Sequence, residues 1–130
     1  SGTGPPRPTG TVPGVLGRYV RDAVGAQHAA PLSITRSLSL MDAIRKMTLM
    51  PAQRLERHVP AMRQKGRLSV GADADITIFD PTTVVDRSTY REPSLAPVGI
   101  QHVIVNGVSV VVNGRAVEGV APGKAVRAPT

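Results

Sequence analysis

Two Asn-Gly pairs, Asn106-Gly107 and Asn113-Gly114, stand between runs of alternating apolar residues. A two-residue hairpin loop follows the twist of its flanking strands only if both central residues take positive φ, and Asn followed by Gly accepts that most readily. The spacing predicts strands over Ile100–Val105 and Val108–Val112 and a short strand over Arg115–Val117, joined as a meander. An earlier strand is expected within ADITIF, residues 74–79. Its alternation places Ile76 and Ile78 on one face and Thr77 and Phe79 on the other. Asp80-Pro81 ends it, and residues 81–97, with Pro81, Pro93 and Pro97, read as a long loop.

The first half has a different period. Residues 1–14 are rich in Gly and Pro and read as a loop, because Pro removes a helix donor and cannot sit in a central strand. Leu16, Tyr19, Val20 and Ala23 then fall on one side of a helix, with Gly25 as its stop. A polar link through Pro31 leads to Ser37 or Ser39, either of which can cap a second helix with Asp42 in its first turn. Leu40, Met41, Ile44 and Met47 make its apolar stripe. Pro51 should open a further helix as its first residue, carrying Ala52, Leu55 and Val59. Met41, Met47 and Met50 read as core filling, since no His or Cys is spaced beside them to share a metal. Helices followed by strands suggest an α+β chain, or a boundary between two architectures near Arg63–Gly66.

Composition removes several functions. The 130 residues contain no cysteine, so there is no disulfide framework, thiolate nucleophile or Cys-based zinc site. No apolar run approaches the roughly 18–20 residues that span a bilayer, and no membrane partner is expected. The Gly- and Pro-rich start does not read as a secretory signal, which fits a cytoplasmic location. Eleven of the 16 Lys and Arg fall within residues 1–67, against three of the nine Asp and Glu. Such a basic half raises the possibility of an anionic partner. With Tyr19, Phe79 and Tyr90 as the whole aromatic set, there is no stacking platform for bases, and an Arg-rich helical surface is the better reading.

Candidate chemistry is sparse. His28, His58 and His102 show no metal-ligand spacing with one another or with Asp or Glu, so no metal ligand is assigned. Asp73 and Asp75 share one side of an extended segment, and Asp80 follows the strand. A paired-carboxylate acid–base site is conceivable there. Turn chemistry, with Asp accepting backbone N–H bonds, is favoured. No Gly-x-Ser-x-Gly, phosphate loop or zinc motif occurs, and no catalytic residue is assigned.

Longer stretches carry a resemblance. The run LMDAIRKMTLMPAQRL followed by KGRLSVGADADITIFDP resembles the end of an amidohydrolase-superfamily enzyme. PPRPTGTVPGVLGRYVRD resembles the His-Pro-Arg-x-x-Gly-Thr-Phe segment of the N-acyl-D-amino-acid deacylases (D-aminoacylases) and the helix after it. GIQHVIVNGVSVVVNG resembles that family's closing strands, and PGKAVR its tail. The Lys-Gly-x-Leu-x-x-Gly-x-x-Ala-Asp pattern is shared with dihydroorotases and other cyclic amidases, so the first and last segments are what narrow the match. Pro5, Val12 and Gly14 depart from the family's His, Phe and frequent Arg.

The resemblance implies a (β/α)₈ barrel enzyme with a small β domain. This chain would supply the last barrel helices, within residues 1–64, and the antiparallel C-terminal strands of the small domain, within 65–130. In that family a metal, usually zinc, activates water against the amide of an N-acyl amino acid. The ligands come from earlier strands, and the last functional Asp falls just before the matched segment. The resemblance therefore implies a metal-dependent amidohydrolase part that binds no zinc and is inactive alone. Arg7 matches the Arg of the His-Pro-Arg segment and is the candidate substrate-binding residue, a bidentate donor to a carboxylate. The alternative is a non-catalytic module completing a separate barrel-bearing chain. A nucleic-acid role is not expected.

Overall fold

Asn106 and Asn113 take φ of 47° and 50°, and Gly107 and Gly114 follow at 78° and 75°, so both Asn-Gly pairs make the expected left-handed turns. In the computed structural model, which describes residues 7–21 and 38–128, these turns join three strands of a four-stranded sheet. The strands are β1 (Ile76–Phe79), β2 (Ile100–Val105), β3 (Val108–Val112) and β4 (Arg115–Ala116), in the order β1-β2-β3-β4. The β2–β3 and β3–β4 pairs are antiparallel. The Asp80 N–H donates to the Gly99 carbonyl (2.9 Å) and the Gly107 N–H to the Ala74 carbonyl (3.0 Å), so β1 also runs against β2.

One irregularity escapes the alternation. Val103 faces Val111, whereas Ile104 faces Ser109, so Val110 is an extra residue on β3. Such a bulge bends its strand and shifts the facing of the residues beyond it. β1 also departs from strict alternation. Ile76 and Phe79 are half-buried, while Thr77 and Ile78 are exposed.

The helical half differs more. Residues Arg7–Val15 form α1, with Pro13 inside it, where the composition suggested a loop. A π-helical stretch, Leu16–Arg21, follows directly. Pro13, Leu16, Gly17 and Val20 are buried at i, i+3, i+4 and i+7, so one apolar stripe continues through the proline. The missing Pro13 donor is tolerated because this stripe packs, and tertiary burial supplies most helix stability. Of the expected stripe, Leu16 and Val20 are in place. The Tyr19 side chain, Ala23, the Gly25 stop and the Pro31 link lie outside the described residues.

Helix α2 (Leu40–Met47) begins after Ser39, whose Oγ accepts the Asp42 N–H (3.1 Å) and donates to Asp42 Oδ2 (2.7 Å). This is the expected cap, closed reciprocally over the first turn. The buried position of this helix is Ala43, which the expected stripe left out; Leu40, Ile44 and Met47 are half-buried, and Met41 is 70% exposed. Met50 is also exposed, so core filling does not describe either methionine. Helix α3 (Leu49–Leu55) starts two residues before Pro51. The first four N–H groups of a helix have no internal acceptor, so a third-position proline costs no bond. Ala52 is buried and Leu55 exposed. A 3₁₀ turn, Pro60–Gln64, leads into the Lys65 segment.

The chain divides into two compact units that interleave in sequence, Ser1–Ala43 with Phe79–Ile100, and Ile44–Ile78 with Gln101–Thr130. The first buries Leu16, Val20, Ala43 and Val84. Its Pro-rich loop is held by the Val85–Val98 bridge and by Gly99 (φ 83°), where a Cβ would stand 2.5 Å from the Val84 backbone. Among its described residues, the second unit buries only Ala52 of its apolar side chains, and Leu68 and Val70 stand almost wholly in solvent. Gly66 (φ 69°) lies so close to the Thr48 carbonyl that a Cβ would sit 2.5 Å from its oxygen.

Candidate functional site

Among the described residues, the densest polar cluster belongs to the second unit and begins at Lys65. Backbone bonds set the frame, with the Asp73 N–H donating to the Gln64 carbonyl (3.0 Å) and the Asp75 N–H to the Asp73 carbonyl (2.8 Å). Both carboxylates thereby face one ammonium. Lys65 Nζ lies 2.9 Å from Asp73 Oδ2 and 2.5 Å from Asp75 Oδ2. Asp75 Oδ1 accepts the Asn106 N–H at 2.8 Å, across 31 residues of sequence. Asn106 Nδ2 in turn donates to the Pro122 carbonyl (2.7 Å). A second pair, Arg67 to Glu56 (3.0 Å), lies on the same segment, which Arg67 Nε also braces by donating to the Lys65 carbonyl.

This geometry decides between the two readings of the carboxylates. The Lys65 ammonium, and then the Asn106 N–H, hold the Asp75 carboxyl below the ordinary 3.8. The hydrogen bonds of Asp75 and Asp73 raise the Lys65 ammonium above its ordinary 10.5. A general acid needs a carboxyl raised toward the working pH, and Asp75 is displaced the other way. The contacts of the cluster, one ammonium shared by two carboxylates and Asp75 bound to the Asn106 N–H, have the form of a structural ion group. Asp80 makes the expected turn, its Oδ1 accepting the Thr82 N–H (2.8 Å) and hydroxyl (2.6 Å), and those bonds lower its pKa. Asp86 Oδ1 likewise accepts the Ser88 N–H (2.8 Å) and hydroxyl (2.6 Å). The expectation that Asp73 and Asp75 serve a local turn is corrected in part, because their partners are an ammonium and a distant hairpin. The signal present in sequence was the Asn106-Gly107 turn; nothing local paired it with Asp75.

The other candidates are dispersed. Arg7 is the first residue of α1, and its side chain lies outside the described residues, as do His28 and Pro5. His58 is exposed just beyond α3, and His102 lies half-buried on β2 beside Ile100 and Ile104 in register. Among the described residues, no three His, Cys, Asp or Glu side chains could hold a metal ion. The nearest approach to a donor set, Asp73 with Asp75, already has an ammonium between its oxygens. The described residues thus do not fit a zinc site. A shallow groove on α2 and α3 is lined by Arg45, Lys46, Met50, Arg54 and Arg57, with no aromatic side chain. No helix among the described residues is long and apolar enough to cross a membrane.

Comparison with known proteins places these features. A sequence profile of the amidohydrolase family matches residues 9–111. The chain belongs to that family. More narrowly, it is similar to the deacylases of D-amino acids. It is 44% identical over 105 residues to N-acyl-D-glutamate deacylase of Alcaligenes xylosoxydans xylosoxydans, covering 81% of this chain and 18% of that one. The fold superposes on N-acyl-D-glutamate deacylase from Bordetella bronchiseptica, solved with zinc and a phosphonate mimic of the tetrahedral intermediate. There the TM-score is 0.65 at 40% identity, over 85% of this chain and 21% of that one. It superposes on D-aminoacylase, an enzyme with a binuclear metal centre, with a TM-score of 0.69 at 32% identity, over 87% and 20%. The chain spans about a fifth of the length of these relatives.

Proposed function

We propose that this chain is the C-terminal part of a metal-dependent amidohydrolase that hydrolyses the linear amide of N-acyl-D-amino acids. In this reading the helices within residues 1–64 are the last of a (β/α)₈ barrel, and residues 65–130 are the closing strands of its small β domain. The observation that carries it is the agreement over residues 9–111 with the amidohydrolase family, together with the likeness to N-acyl-D-glutamate deacylase, which was solved with zinc. The cluster of Lys65, Asp73, Asp75 and Asn106 supports it from the other side. Its groups are engaged in bonds to one another, which suits a segment that shapes the enzyme without holding its metal. Metal ligands and the catalytic acid–base group would come from the remainder of the enzyme, and the 130-residue chain alone would not turn over substrate.

Arg7 is the one substrate contact in this reading, donating two bonds to a substrate carboxylate. In the complete enzyme Arg7→Ala should raise KM by roughly tenfold with a smaller change in kcat, and Arg7→Lys should recover little, since an ammonium cannot make the paired contact. An unchanged KM would remove Arg7 from the site.

A grafting experiment tests the whole proposal. Replacing the corresponding segment of N-acyl-D-glutamate deacylase with this chain should give an enzyme that still releases the amino acid from its N-acyl derivative. A folded, zinc-loaded chimera without turnover would contradict it. A second reading, a separate module that completes a barrel-bearing chain, is favoured by the exposure of Leu68 (83%), Met41 and Val70. It predicts stable co-purification of two separately encoded chains.

A further inference from the structure

From Glu118 to Ala128 the described residues make no strand or helix. Among the described residues from Glu118 to Ala128, one polar contact ties the segment to the rest of its unit, the 2.7 Å bond from Asn106 Nδ2 to the Pro122 carbonyl. Asn106 therefore meets two demands that separate residue types could not. Its backbone must take φ 47° to turn β2 into β3, and its side chain must donate outward. Asn113 meets the first demand at φ 50°, yet makes no such bond. What fixes the Asn106 backbone is equally specific. Its N–H is held by Asp75 Oδ1, the next N–H, of Gly107, by the Ala74 carbonyl, and Asp75 itself by Lys65.

We propose that Asn106 is a clasp for the C-terminal segment, and that Lys65 and Asp75 act as positioning residues that hold the clasp shut. The links run in series, from ammonium to carboxylate, carboxylate to turn, and turn to Pro122. Loss of either inner link should release the same outer segment. The sheet need not open for this, because Gly at position 106 accepts the same left-handed turn while removing the donor.

Limited trypsin digestion of the intact protein reads the clasp directly, since Lys124 lies two residues beyond Pro122. Asn106→Gly should accelerate cleavage after Lys124 by about fivefold, the fold-change of one net hydrogen bond. Cleavage after Arg54 and Arg57 should stay at the parent rate, which reports that the unit remains folded. Asn113→Gly should leave the Lys124 rate unchanged. Asp75→Ala should accelerate it, and the Asp75→Ala/Asn106→Gly pair should be no faster than Asn106→Gly, because links in series do not add. Equal rates after Lys124 in parent and Asn106→Gly would overturn the proposal. So would a double variant whose two effects sum.

Discussion

Lys65 and Asp75 give the molecule its most testable pH behaviour. The folded Asp75 carboxyl titrates below the ordinary 3.8, so its stabilisation is complete above that value and is lost as the pH falls through the folded pKa. The folded Lys65 ammonium titrates above 10.5, so its stabilisation is complete below that value and is lost as the pH rises through the folded pKa. Thermal unfolding followed by circular dichroism should show a plateau between these limits. Lys65→Met should lower it by roughly 0.5–1 kcal/mol, the usual worth of partly solvated ion pairs, and flatten the alkaline fall. An alkaline limb of unchanged steepness in Lys65→Met would exclude the assignment. Two glycines isolate a steric effect at the same scale. Gly71 and Gly99 share φ 83°, but a Cβ at 71 meets open space whereas one at 99 meets the Val84 backbone. Gly71→Ala should cost about 1 kcal/mol, for the backbone conformation alone, and Gly99→Ala clearly more. Equal losses in denaturant titrations would contradict the packing of Gly99.

At the scale of elements, local chemistry was legible where the residue type admits few conformations. The Asn-Gly turns and the Ser39 cap follow from backbone and donor requirements that act within a few residues. Ser39→Ala should therefore destabilise the protein by about 1 kcal/mol; a variant with unchanged stability would show the cap to be idle. Readings that depend on what an element packs against fared differently. α1 forms through Pro13 because Leu16 and Val20 find cover, and composition carries no information about that cover. Met41 is exposed while Ala43 is covered, and the apolar stripe of 40, 41, 44 and 47 leaves Ala43 out, because a small side chain gives a weak signal for the position of closest approach. The β-bulge at Val110 lies inside an unbroken valine run, where alternation has no mark for an added residue. The Lys65–Asp75–Asn106 cluster was illegible for the same reason, since its members meet only after β1 and β2 pair.

At the scale of the whole molecule, the described residues carry a site-poor inventory of polar groups. Membership of the amidohydrolase family rests on residues 9–111, while the relatives are about five times as long. The described carboxylates and histidines either pair internally or stand apart, and none form a metal-holding group. A hydrolytic centre of this family's kind needs a coordinated ion to make hydroxide near neutral pH. The central claim is that this chain shapes such a centre without providing its ligands. Equilibrium dialysis of the purified 130-residue chain against zinc, with amine release from an N-acyl-D-amino acid followed in the same samples, tests it most directly. The expected result is no stoichiometric zinc and no zinc-dependent release. One zinc per chain with metal-dependent turnover would contradict the claim outright.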